Sequence, residues 1–206
     1  MPKLMLATTN PGKVREFRSL LEQSEWAQRL ELLTPADWPE LLPDVDETGA
    51  TFAENARLKA TALAAATGLM ALADDSGLCV EALDSRPGLH SARWAGVGAS
   101  DADRNAKLLL ELAGVPKERR AARYICVVSL ASPDGTSIEA EGTCDGVIAE
   151  AASGWGGFGY DPLFWMPEFG RTVAEVTTAE KSQISHRARA LTALLALPDA
   201  KRRLSV

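Results

Sequence analysis

The sequence predicts an α/β fold, a mixed and twisted sheet flanked by helices, and three observations carry that expectation. Early in the chain, short apolar runs alternate with segments of helical period. Later, two β-rich runs flank Pro133-Asp134-Gly135, which marks an antiparallel hairpin. The proportions, 46% hydrophobic and 24% charged over 206 residues, are those of an ordinary folded chain. Alternating strands and helices favour parallel pairing, a hairpin is antiparallel, and a sheet holding both is mixed. With no internal repeat, low-complexity tract or Ser/Gly linker, a single domain over residues 1–206 is expected.

Lys3 to Thr8 reads as a short buried strand, and Thr9-Asn10-Pro11-Gly12 as the turn after it. Lys13 opens an amphipathic helix with Val14, Phe17, Leu20 and Leu21 on one face. Residues 34–48, with Pro35, Pro39 and Pro43, read as loop. Thr51-Phe52-Ala53-Glu54 has the form of a capping box, in which Thr51 and Glu54 each satisfy the other's backbone N–H. The Ala-rich helix it opens runs to about Thr67, where Gly68 is a natural stop. Leu69 to Ala73 reads as a buried strand ending in the turn Asp74-Asp75-Ser76-Gly77. Ser100 to Asp103 would cap a helix through Leu112, which Gly114 and Pro116 terminate. Strands are expected at Arg123 to Ala131, Ser137 to Glu141 and Val147 to Glu150. One last helix would carry Ile184, Ala188, Leu191 and Leu195 on a common face.

Charge and composition remove several function classes. The chain has 22 Lys and Arg against 28 Asp and Glu, a formal charge of −6, so no whole-molecule attraction to nucleic acid or anionic lipid is expected. A small phosphorylated ligand meeting a local basic pocket remains compatible with that balance. No apolar run reaches the ~18 residues of a membrane span, and the first residues are too briefly apolar for a signal peptide. Three cysteines without a Cys-x-x-Cys pair fit reduced, mostly buried thiols, and two histidines make no ligand cluster. The expected location is cytoplasmic, and a transition-metal centre is not expected.

Four segments bring chemistry-bearing residues together. Thr8-Thr9-Asn10-Pro11-Gly12-Lys13 joins a strand to a helix N-terminus, where free N–H groups, the helix dipole and Lys13 suit a triphosphate. It is not a P-loop, because the first Gly is absent and Val14 follows the lysine; an ordinary strand–helix turn would use the same Asn, Pro and Gly. Asp74 and Asp75 repel unless a cation or a raised pKa relieves them, and oxygen ligands without histidine point to Mg²⁺. Asp44, Asp46 and Glu47 could complete such a shell, although Asp, Ser and Gly are also common in solvated turns. Ser153 to Pro162 literally contains G-x-G-x-x-G, but Tyr160-Asp161-Pro162 follows where a dinucleotide fold requires a helix. Its Trp155, Phe158 and Tyr160 could stack on a planar base, or the glycines could serve a tight bend. Lys181, His186 and Arg187 gather hydrogen-bond donors near the last helix, suited to a base carbonyl or a phosphate. Lys59 is a further cation, on the second helix.

In order and spacing these segments resemble the inosine triphosphate pyrophosphatase family across nearly the whole chain. The resemblance is carried by Thr8 to Lys13, Thr51-Phe52-Ala53-Glu54-Asn55-Ala56-Arg57-Leu58-Lys59-Ala60, Ala73 to Gly77, Gly156 to Pro162, Glu180-Lys181 and Ser185-His186-Arg187. It implies Mg²⁺-dependent hydrolysis of non-standard purine nucleoside triphosphates (ITP, dITP, XTP) to the monophosphate and pyrophosphate. The family fold is an elongated mixed sheet with two lobes and a central active-site cleft, usually in a homodimer. By the family pattern Thr8, Thr9, Asn10, Pro11, Gly12 and Lys13 hold the triphosphate, with Lys59 offsetting charge. Asp75 is the general base, Ser76 contacts substrate, and Phe158, Gly159, Tyr160, Asp161, Lys181, His186 and Arg187 form the nucleoside site. Asp74 and Asp75 would serve the metal together with the 46–47 pair. There the family commonly has Glu before Glu-Thr-Gly, whereas this chain has Asp46, leaving Asp46 and Glu47 both as candidates. Competing classes are a Maf-type nucleotide pyrophosphatase of other base specificity, which would lack Ser185-His186-Arg187, and a non-catalytic nucleotide-binding module, which would not need paired carboxylates.

Overall fold

The computed structural model describes residues 1–38 and 40–205, so Pro39 of the expected loop lies outside the described residues. Strand β1 (Lys3–Leu6) leads through Asn10 into helix α1 (Pro11–Glu22), then β2 (Glu31–Leu33), α2 (Phe52–Thr67) and β3 (Met70–Val80). Helix α3 (Asp101–Glu111) precedes β4 (Ala121–Ala131), β5 (Ser137–Ile148), β6 (Phe164–Met166) and β7 (Arg171–Thr172). Helices α4 (Thr178–Ile184), α5 (His186–Ala196) and α6 (Pro198–Leu204) complete the chain. Among the described residues the strands form one seven-stranded sheet in the order β2-β1-β3-β4-β5-β6-β7. β1 pairs parallel with β2 and β3, while β6 pairs antiparallel with β5 and β7, so the sheet is mixed as expected. No described helix is long and apolar enough to cross a membrane.

The chain forms two compact units. The first comprises Met1–Asp75, Cys126–Gly142 and the residues from His186 on. Its strands are covered on both faces, which explains their unbroken apolar runs. Leu4, Leu6 and Leu72 point to one face and pack with Phe17 and Leu21 of α1 and Leu191 and Leu194 of α5. Met5, Ala7, Ala71 and Ala73 point to the other, against Ala60, Leu63 and Ala64 of α2. Small residues on both sides of that second layer bring α2 close to the sheet. The second unit comprises Ser76–Ile125 and Thr143–Ser185, with Leu78, Val80, Leu108, Leu112, Tyr124 and Phe164 in its core. Each such fully buried side chain contributes about 1.5–3 kcal/mol over an exposed one.

Several elements differ from the sequence reading. Helix α1 begins at Pro11 rather than Lys13, because Asn10 is the cap and proline fits the first helical position. β3 does not stop at Ala73 but continues through Asp74-Asp75-Ser76-Gly77 to Val80, since the two carboxylates meet cations inside the fold. The glycine at 77 belongs to that strand, where a Cβ would come within 2.2 Å of the Gly88 carbonyl oxygen. The single strand β5 takes in the strand expected at 137–141 and the first two residues of the one expected at 147–150, and ends at Ile148. Its glycines mark contacts rather than breaks, for a Cβ on Gly146 would lie 2.5 Å from the Phe164 ring. The last helix is two helices, interrupted at Ser185, whose φ of −65° and ψ of 150° are extended. At α2, Thr51 Oγ1 accepts from the Glu54 N–H, but Glu54 Oε2 accepts from Ala50 rather than Thr51. The short strands β2, β6 and β7 had no sequence signal.

Candidate active site

The first unit gathers most of the charged candidates around the adjacent carboxylates of β3. Successive strand residues face opposite sides, and Asp74 and Asp75 accordingly enter different surroundings. Asp74 is 1% exposed, and its Oδ2 lies 2.9 Å from Lys13 Nζ and 3.3 Å from Arg187 Nε. The Cys126 thiol is 3.8 Å from the same oxygen. Burial alone would push the Asp74 carboxyl up, but Lys13, Arg187 and Lys59 outweigh it and hold the group far below the usual carboxylate range. Burial pushes the Cys126 thiol well above its ordinary value, with the Asp74 charge adding to the effect. Arg187 also pairs with Glu16 and lies over the Phe17 ring, 5.8 Å from its centroid. Despite its burial, Glu16 and Asp74 hold that guanidinium firmly charged.

Asp75 faces helix α2. Its Oδ2 accepts from Asn55 Nδ2 at 3.0 Å, and its Oδ1 lies 3.6 Å from Lys59 Nζ. Lys59 Nζ in turn donates to Glu47 Oε1 at 2.7 Å. Burial raises the pKa of Asp75 and the Glu47 charge adds to the rise, against the lowering influence of Lys59, Asn55 and Lys13. For Lys59, burial lowers the pKa, but the charges of Asp75, Asp74 and Glu47 prevail and raise it. The structure thus brings Glu47, rather than Asp46, to Lys59 and Asp75; Asp44 and Asp46 are exposed. Among the described residues no three acidic, His or Cys side chains converge as a ready-made cation cage. Two carboxylates drawn onto one ammonium nevertheless form a setting that suits a hard cation. Mg²⁺ commonly takes one or two protein carboxylates and completes its shell with water and substrate phosphates.

The turn between β1 and α1 is held from within. Asn10 Oδ1 accepts from the N–H groups of Gly12, at 2.8 Å, and Lys13, at 3.2 Å, and Thr8 Oγ1 accepts from the Asn10 N–H at 3.2 Å. Thr9, Asn10 and Pro11 are exposed and Gly12 is buried. Of the first-turn amides expected to face a phosphate, those of Gly12 and Lys13 are capped by Asn10.

In the second unit the glycine-rich loop is organised by Asp161. Its Oδ2 accepts from the Phe158 N–H at 2.9 Å and from Lys181 Nζ at 2.7 Å, and Tyr124 Oη is 3.4 Å from its Oδ1. Lys181 Nζ lies 5.1 Å from the Phe158 ring centroid, within cation–π range. Gly157 has a φ of +74°, and a Cβ there would fall 2.0 Å from Asp161 Oδ2, so only glycine fits. The first turns of α3 grip Gly159: Asp101 Oδ2 accepts from its N–H at 2.8 Å, and Asn105 Nδ2 donates to its carbonyl at 3.1 Å. Tyr160 is buried and donates to the Ser91 carbonyl at 2.9 Å, while Trp155 is fully exposed.

Ser76 follows Asp75 in β3 and is half-buried; His186 is buried at the start of α5. Sequence reasoning gave no role to Glu16, Asp101, Asn105 or Tyr124. Glu16 stands three residues after Lys13 on one helix face, and Asp101 and Asn105 are spaced i, i+4, so their helical spacing was the available signal. Asn55 carried another, an amide inside an Ala-rich helix, where asparagine is a poor helix former.

The Ham1 family model matches residues 4–197 of the chain. A dITP/XTP pyrophosphatase of Geobacillus kaustophilus is 53% identical over 194 residues, covering 94% of this chain and 93% of that protein. The dITP/XTP pyrophosphatase of Thermus thermophilus is 52% identical over 193 residues, with 94% and 90% covered. Among solved structures, a HAM1 protein from Coxiella burnetii matches with a TM-score of 0.82 at 41% identity, covering 94% of this chain and 96% of that one.

Proposed function

Because the chain belongs to the Ham1 family, we propose that it is a pyrophosphatase hydrolysing non-standard purine nucleoside triphosphates (ITP, dITP and XTP) to the monophosphate and pyrophosphate. Its relatives named dITP/XTP pyrophosphatase, similar over nearly their full length, support the substrate class. The reading includes Mg²⁺ as cofactor, a homodimer, a cytoplasmic location and one pyrophosphatase domain over residues 1–206.

The observation that carries it is the division between the adjacent carboxylates. Cationic partners hold Asp74 ionised, whereas burial raises Asp75. Such a pair, pushed apart by its surroundings, separates a fixed anion from a proton acceptor. Asp75 accepts the proton of the water that attacks the anhydride phosphorus. Lys13 and Lys59 offset charge gathering on the departing pyrophosphate, and Asp74 keeps Lys13 in place. Glu47 and Asp75 would hold Mg²⁺, with Asp46 and Asp74 beside them in sequence; when bound, the ion neutralises triphosphate charge. Thr8 to Gly12 border the triphosphate, and Ser76 contacts it. Phe158, Gly159, Tyr160 and Asp161 serve the nucleoside, with Lys181, His186 and Arg187 donating to the base.

Incubation with Mg²⁺ and ITP tests this reading. Pyrophosphate and inosine monophosphate are the expected products. Orthophosphate, or no turnover, would refute it. A panel of bases separates it from the Maf-type alternative: preference for a canonical or pyrimidine triphosphate over ITP, dITP and XTP overturns the assignment.

A further inference from the structure

We propose that Asn55 is a positioning residue for the reaction, fixing the Asp75 carboxylate and tying it to the loop that carries Glu47. The inference rests on the reading of Asp75 as the base, and its argument is geometric. Asn55 is 2% exposed, in the first turns of α2. Both ends of its amide are engaged: Oδ1 accepts from the Gly49 N–H at 2.8 Å, and Nδ2 donates to Asp75 Oδ2 at 3.0 Å. A backbone N–H requires an acceptor and a carboxylate a donor, so only one orientation of the amide satisfies both neighbours.

Other side chains of α2 hold the same loop. Glu54 Oε2 accepts from the Ala50 N–H at 2.6 Å, and Lys59 donates to Glu47 at 2.7 Å. A Cβ on Gly49 would lie 2.7 Å from Asn55 Oδ1, so the loop backbone is seated closely on the amide. On the other side, Asn55 takes Oδ2 of Asp75 while Lys59 faces Oδ1, which fixes the plane of the carboxylate. Asparagine alone joins these two neighbours in this way. Aspartate keeps the acceptor for Gly49 but loses the donor and opposes a second negative charge to Asp75. Alanine loses both contacts.

The test compares Asn55→Asp, Asn55→Ala, Asp75→Asn and the exchange Asn55→Asp/Asp75→Asn, measuring kcat and KM for ITP per folded molecule and the urea unfolding midpoint. Loss of such a supporting contact is expected to lower kcat by about 10–100-fold in Asn55→Asp and Asn55→Ala, with KM changed less than about threefold, because the amide touches the base rather than the substrate. The exchange restores an amide–carboxylate pair, so it should recover the unfolding midpoint lost in Asn55→Asp but not the turnover. If Asn55→Asp does not fold, Asn55→Ala carries the kinetic comparison. Unchanged kcat in the folded Asn55 variants, with Asp75→Asn inactive, overturns the role of Asn55 and leaves the base reading intact. A kcat loss that disappears when activity is expressed per folded molecule also overturns it. Near-normal kcat in Asp75→Asn instead removes the base reading.

Discussion

Helix α5 is seated against strand β5 at Gly142, and alanine at that position should disturb both stability and activity. A Cβ there would lie 2.2 Å from the backbone nitrogen of Ala190, 2.3 Å from the His186 carbonyl oxygen and 2.8 Å from the Arg189 carbonyl carbon. All three atoms are backbone, so no rotamer change relieves the overlap. Reaching the 3.4 Å at which ordinary contact begins requires α5 to withdraw by about 1.2 Å. Overpacking of this kind costs about 1–3 kcal/mol, offset by about 0.4–1 kcal/mol because alanine restricts the unfolded chain more than glycine. A net loss near 1–2 kcal/mol should appear as a lower urea midpoint with an unchanged m-value. The same withdrawal moves Arg187, whose Nε is 3.3 Å from Asp74 Oδ2, in the first turn of the displaced helix. A shift of about 1 Å at a positioning group can cost about 10²-fold, so kcat/KM for ITP should fall by that order. Wild-type stability together with wild-type kcat/KM would refute the seating of α5 on Gly142 as a constraint on the site.

Glu47→Ala should raise the Mg²⁺ concentration for half-maximal activity more than Asp46→Ala does, because Glu47 is the one held beside Asp75 through Lys59; the reverse order would assign the ion to Asp46. On the proposed reading, in which donors recognise the base, ITP with its 6-carbonyl should be preferred to ATP with its 6-amino group by at least ~10²-fold in kcat/KM. Arg187→Ala should narrow that ratio, and an equal fall for both substrates would reject base reading by Arg187. The pKa of Asp74 is lowered on folding from an ordinary value of 3.8, so its contribution is complete above that value and is lost as pH falls through the folded one. The stability gap between wild type and Asp74→Asn, read from urea unfolding, should therefore narrow progressively below about pH 4; a gap constant from pH 6 to pH 2 would contradict the depressed pKa.

The α/β class was legible because its signals are local. The β1–α1 turn, the Ala-rich α2 with its Gly68 stop, and the Pro133-Asp134-Gly135 hairpin each follow from a few neighbouring residues. What escaped depends on residues distant in sequence. Gly142 and Gly146 lie between the two strands expected from sequence, and it is α5 beside the one and β6, with the Phe164 ring, beside the other that account for the absence of side chains. Ile184 and Ala188 share a helical period, yet Ser185 turns the chain between α4 and α5, and periodicity does not detect one extended residue. β2, β6 and β7 have only two or three residues each, too few to show a pattern.

The site was legible as a set of residues and much less as an arrangement. Asp74 and Asp75 drew attention because adjacent carboxylates repel, but a turn gives them no defined faces, and only the family resemblance singled out Asp75 as the base. Within a strand they cannot be equivalent, because consecutive side chains leave on opposite faces. One then meets the cations of α1 and α5, Lys13 and Arg187, and the other meets Asn55 and Lys59 of α2. The sequence pattern ended the strand at Ala73 because charged residues seldom continue a buried run. Here lysine and arginine partners, Lys13 near the start of the chain and Arg187 near its end, offset the burial of Asp74. The long-range pairs that permit β3 to continue are therefore the same ones that give the two carboxylates different surroundings, and extending the strand by two residues is enough to derive that difference.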